Sequence, residues 1–72
     1  MRVRVGDPLA VGELGEFLRE RTGAIVERTR PGEMEVLLVG SFSNVALREA
    51  IELAVSRWRF VSRRAELSVV VG

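Results

Sequence analysis

The residues able to do chemistry in this chain are few, and their spacing keeps most of them apart. Glu33 and Glu35 stand two apart, so in an extended segment both carboxylates project from one face. Paired carboxylates can act as acid and base or hold a divalent cation. Arg2 and Arg4 repeat the same spacing near the start of the chain. A neighbouring strand carrying them would turn the carboxylates into ordinary cross-strand ion pairs. Ser41, Ser43, Ser56, Ser62 and Ser68 offer hydroxyl groups, but a serine nucleophile needs an adjacent base. The chain has no His, Lys, Cys or Tyr, and its single aspartate is Asp7. The serines therefore read as helix caps and solvent contacts. Gly12-Glu13-Leu14-Gly15 lacks the following Lys of a phosphate-binding loop. The composition predicts no catalysis, no cofactor and no bound metal.

One cluster combines arginine with aromatic rings: Arg57, Trp58, Arg59, Phe60, Arg63 and Arg64, with no acidic residue between Glu52 and Glu66. Such a cluster can hold nucleic acid, the arginines on phosphate and a ring stacked on a base. Trp58, however, falls on an apolar helical stripe and reads as core. Small α+β domains that bind RNA display aromatics on their central strands, where this chain has Arg2, Arg4, Glu33, Glu35 and Leu37. The pattern argues against nucleic acid and for a solvated or partner-facing helix end.

These residues are positioned by six segments. Met1 to Val5 alternates, Val3 and Val5 against Arg2 and Arg4, as a half-buried strand does. Asp7 can cap a helix whose first position is Pro8. That helix runs to Thr22 with Val11, Leu14, Phe17, Leu18 and Arg21 at helical spacing. Gly12 and Gly15 weaken it, so it can begin as late as Gly12, and Gly23 stops it. Ala24 to Thr29 reads as a second strand. Arg30-Pro31-Gly32-Glu33 is a turn, and Met34 to Val39 a third strand. Ser41 or Ser43 can cap a second helix with Leu47, Ile51, Ala54, Val55, Trp58 and Val61 on one stripe. Arg48 and Glu52 form an i,i+4 pair on its other side. Ser62-Arg63-Arg64 leads out, and Ala65 to Val71 closes the chain as a strand.

Strand–helix–strand twice over, with right-handed crossovers, predicts a single α+β domain over residues 1–72 of the ferredoxin-like βαββαβ type. Its four antiparallel strands take the order 4-1-3-2, and both helices cover one face. With 72 residues and no cysteine, such a domain is small and has no covalent staple, so partner chains are a natural supplement. No apolar run approaches the roughly 20 residues of a membrane span, and no signal-peptide pattern precedes the first strand. The chain reads as cytoplasmic.

The other face of the sheet is left bare. If Met34, Val36 and Leu38 face the helices, then Leu37 and Val39 face outwards, joined by Val70 from the last strand. The predicted interface comprises Arg2, Arg4, Glu35, Leu37, Val39 and Val70, with Glu66 beside them. Apolar residues among alternating charges suit a specific protein contact, and a two-fold homodimer is its simplest form.

From Leu14 through Val71 the chain resembles the effector-associated constant component family of bacterial conflict systems. The resemblance rests on Leu14-Gly-Glu-Phe-Leu-Arg-Glu, the turn Pro31-Gly32-Glu33-Met34, a helix ending near Trp58, and Arg63-Arg64 before the final strand. It implies a non-catalytic adaptor, encoded beside peptidase-like or other effectors and nucleotide-dependent sensors in antiphage defence, that recruits or assembles those partners. The family's last hairpin would follow the position of Gly72. The matching positions are turn and core residues, so no ligand-binding or catalytic residue carries over. The same element order also resembles ACT-type small-molecule-sensing domains, with Asp7-Pro8 and Gly23-Ala24-Ile25 as the similar segments. That family places Gly after the Pro, where this chain has Leu9.

Overall fold

The structure, a computed structural model, describes residues 1–40 and 43–72. Four strands and two helices follow in the order β1 (Arg2–Val5), α1 (Val11–Thr22), β2 (Ile25–Arg30), β3 (Glu33–Leu37), α2 (Asn44–Val61) and β4 (Val69–Val71). All strand pairs are antiparallel, in the order β2-β3-β1-β4. The fold is the ferredoxin-like α+β arrangement. The core lies between sheet and helices: Val3, Val5, Val26, Met34 and Val36 meet Val11, Leu14 and Leu18 of α1 and Ile51, Ala54, Val55 and Trp58 of α2. No polar or charged residue is buried among the described residues.

Local chemistry sets each boundary. Asp7 accepts a hydrogen bond from the Leu9 N–H at 3.0 Å, but it caps a 3-10 turn, Pro8–Ala10, and α1 proper begins at Val11. Gly23 takes the left-handed conformation at φ 69° and donates to the Arg19 carbonyl, ending α1. The Ser43 hydroxyl caps α2 by accepting from the Ala46 N–H at 3.1 Å; the alternative cap, Ser41, lies outside the described residues. Arg48 and Glu52 pair at 3.9 Å along α2. Of the predicted α2 stripe, Ile51, Ala54, Val55 and Trp58 are buried and Leu47 is half-buried, whereas Val61 is 54% exposed. Val61 is the last residue of the helix and borders the seam with Glu13, Glu16 and Phe17 of α1.

The β2–β3 register depends on one irregularity. Pro31-Gly32 is a two-residue turn, with Gly32 at φ 80° and Arg30 opposite Glu33. Continued evenly, that pairing would set Val26 opposite Leu37 on the bare face. A shift between Arg28 and Arg30 pairs Val26 with Val36 and Ile25 with Leu37 instead. Because side chains alternate with period two, this bulge sends Val26 into the core and Ile25 to the open side.

Two strands are shorter than the sequence predicts. β3 ends at Leu37, so Val39 lies beyond the sheet; Leu38 still packs against the core. β4 covers Val69–Val71 rather than Ala65–Val71. The cause is the exit of α2. Arg63 sits at φ 58°, its N–H bonds to the Phe60 carbonyl, and the Arg64 N–H reaches back to the Arg59 carbonyl at 2.8 Å. This is the Schellman pattern, with arginine at the position that glycine usually fills. The chain then turns through the Leu67 N–H to Arg64 carbonyl bond, which keeps residues 65–67 out of the ladder. Left-handed backbone costs a side-chain-bearing residue about 1–2 kcal/mol. Arg63→Gly is accordingly expected to raise stability by about 1 kcal/mol, read as a higher urea midpoint at unchanged m.

Candidate functional site

The alternation of β1 and β3 and the register between them place Arg2 opposite Glu35 and Arg4 opposite Glu33. All four project from the face that the helices leave uncovered. Their charges meet within the chain: Arg4 Nε lies 3.5 Å and Arg2 Nε 3.9 Å from the Glu33 carboxylate. The Met1 ammonium donates to Glu35 Oε1 at 2.8 Å and to the Val36 carbonyl at 2.9 Å. That hydrogen bond holds the Glu35 carboxyl below the usual carboxylate range, against a smaller opposing effect of burial. A depressed carboxylate supports the fold above the unfolded value of about 4.3 and loses that contribution as pH falls through the folded value. The contribution is small, since the Glu35 side chain is 41% exposed.

The predicted interface residues separate on this face. Arg2, Arg4, Glu35, Leu37 and Val70 all lie on it, with Val70 opposite Arg4 on the edge strand. Val39 does not belong to the sheet, and Glu66 sits in the turn before β4. Leu37 and Val70 are not neighbours, because the β1–β3 charges lie between them. The apolar partner of Leu37 is Ile25 on β2, placed there by the bulge. Both are half open, 51% and 55% exposed. The face is therefore a band of charge with an apolar pair at one corner and a single valine at the opposite edge. Sequence reading missed Ile25, since nothing in Ala24–Thr29 marks the bulge that orients it.

The arginine-aromatic cluster resolves differently. Trp58 is 1% exposed and Arg64 stacks over it, the guanidinium carbon 5.6 Å from the ring centroid. Arg64 also reaches Glu13 Oε2 at 2.9 Å and so ties the end of α2 to the start of α1. Arg59 donates to the Ala65 carbonyl and holds the exit turn. Two of the cluster's arginines are thus structural, and its tryptophan is core.

A second exposed apolar surface lies on the outer side of α2: Val45, Leu53 and Phe60 are 66%, 74% and 81% exposed. Their spacing of eight and seven residues puts them on one stripe, opposite the core stripe. That spacing was readable from the sequence beside the stronger core pattern. Leu53 borders a cleft shared by Phe17 and Arg21 of α1 and Ala50, Ala54 and Arg57 of α2. Further along the seam, Glu13, Glu16 and Glu20 line the α1 side against Trp58 and Val61.

Among the described residues, no group of three or more acidic side chains is arranged to hold a metal ion, and no helix is long and apolar enough to cross a membrane. What both surfaces offer is contact area, part apolar and part charged. No family model, curated protein or solved structure matches the chain.

Proposed function

We propose that this domain is a non-catalytic protein-interaction module, an adaptor that recruits or assembles an effector of a bacterial conflict system through the bare face of its sheet. The observation that carries the reading is the Ile25–Leu37 pair, two half-exposed aliphatic side chains in register beside a charged ladder. An uncovered apolar pair next to ordered charges suits a partner surface: the apolar part contributes affinity and the charges select orientation. The resemblance of Leu14–Glu20, the Pro31–Met34 turn and Arg63-Arg64 to the effector-associated family supplies the kind of partner, a peptidase-like effector or a sensor encoded nearby.

The test is pull-down and titration with the product of the neighbouring gene. Leu37→Glu sets a carboxylate beside Ile25 and is expected to weaken binding at least about tenfold. It should leave the melting temperature nearly unchanged, since Leu37 faces away from the core. A partner that binds the Leu37→Glu variant as tightly as the parent would remove the sheet from the interface.

A second reading, an ACT-like small-molecule-sensing regulatory domain, draws on the shallow cleft that Asp7 forms with residues Arg63 to Leu67. Against it, Leu9 projects from the first loop at 91% exposure, where a glycine would let a ligand approach the backbone. A melting temperature raised by one particular amino acid would favour this reading, because a ligand bound only to the native state stabilises it by mass action.

A further inference from the structure

A helix that is apolar on two opposite sides has a second surface to cover. α2 buries Ile51, Val55 and Trp58 against the sheet and α1, yet carries Leu53 and Phe60 on its outer side, with Val61 at its end. These account for three of the nine large apolar residues exposed among the described residues. The ridge beside them, across the seam on α1, is different in kind. Glu13, Glu16 and Glu20 recur at i, i+3 and i+7 and all are exposed. The outer surface of the helix layer is thus mainly acidic along α1, with Arg21 at the seam, and mainly apolar along α2, with Glu49 and Arg57 beside the stripe.

We propose that this surface docks a second copy of the chain, with a two-fold axis running along the α1/α2 groove. Rotation about such an axis lays α1 of one protomer over α2 of its partner, and the reverse. Each acidic ridge then meets the partner's Arg57, and each Leu53–Phe60 stripe is covered by the partner's helices. Several charges along this contact are free to pair, Arg21 and Glu49 among them, and the proposed axis brings together one set of them. Arg57 and Glu20 make no ion pair with any described residue, whereas Glu13 is held by Arg64 and Glu16 by Arg19. On the sheet face Arg2, Arg4, Glu33 and Glu35 are already paired within the chain, which leaves Glu27, opposite Glu35, as an unpaired charge. The inference goes beyond the adaptor reading and does not depend on it. Self-association through the helices leaves the sheet open, so one assembly would present two effector-binding faces.

Sedimentation equilibrium across a concentration series tests the arrangement without any partner protein. The parent chain is expected to dimerise, and Leu53→Glu to be monomeric with an unchanged circular dichroism spectrum. Arg57→Glu and Glu20→Arg should each raise the dimer dissociation constant at least about tenfold by opposing like charges. Combined in one chain, the two reversals recreate opposite charges across the axis and should restore association towards the parent level. A parent that stays monomeric, or a dimer that survives Leu53→Glu, overturns the proposal. A dimer that Leu53→Glu abolishes but the double reversal fails to restore overturns the two-fold along the groove. If the parent is monomeric and Leu53→Glu abolishes binding of a different protein, the stripe belongs to that protein and the proposal likewise falls.

Discussion

Trp58→Ala should remove a large share of the domain's stability. The indole is 1% exposed and sits where α2 meets the rest of the core. Removing it deletes the largest buried side chain and leaves a cavity that a small domain cannot collapse around, at a cost of about 3–5 kcal/mol. A chain of 72 residues has about 4–11 kcal/mol in total at ordinary stability per residue. The indole Nε1 is buried and bonds to no described residue. Trp58→Phe, which keeps a ring and removes that orphan donor, should therefore cost markedly less than the alanine variant. Urea denaturation followed by far-UV circular dichroism separates the two. A Trp58→Ala protein within about 1 kcal/mol of the parent would contradict the packing described.

Gly32→Ala carries the second-largest expected loss, about 2–4 kcal/mol. Two independent constraints meet at this residue. Its φ of 80° is costly for any residue with a Cβ, and a Cβ there would lie 3.1 Å from the Val5 carbonyl oxygen, a backbone atom that cannot swing aside. The Val5 N–H also donates to the Gly32 carbonyl at 2.7 Å, so moving the turn would loosen β1 from it. Thermal denaturation of the variant measures the loss. A shift of only one or two degrees would mean that the turn relaxes freely and does not clamp β1.

What the sequence disclosed, and what it hid, follows from how local each cause is. The first strand, the second helix, the Pro31–Gly32 turn and the burial of Trp58 all announce themselves through period or turn chemistry within a few residues. The strand order followed from the element order and the handedness of crossovers. The β2 bulge did not, because nothing in Arg28-Thr29-Arg30 demands an extra residue. The preference for Val26 over Ile25 in the core is a tertiary choice between two similar side chains. The shortened β4 was hidden for a related reason. Its cause is the left-handed Arg63, and a glycine there would have signalled the turn where an arginine does not. The interface was legible only in part: Leu37 followed from alternation, its partner Ile25 needed the register, and Val39 was lost when β3 ended early. The stripe through Leu53 and Phe60 was present in the spacing, overshadowed by the stronger stripe on the opposite side of the same helix.

The uncovered sheet face is, on the reading proposed above, the partner-binding surface. Amide NMR of this domain, titrated with the protein encoded beside it, tests that claim residue by residue. The expected result is that resonances of Arg2, Arg4, Ile25, Glu35 and Leu37 shift or broaden as the partner is added, while those of Leu14, Leu18 and Val55 hold still. Perturbations confined to the Asp7 loop and residues Arg63 to Leu67, with the β1 and β3 amides unmoved, would contradict it.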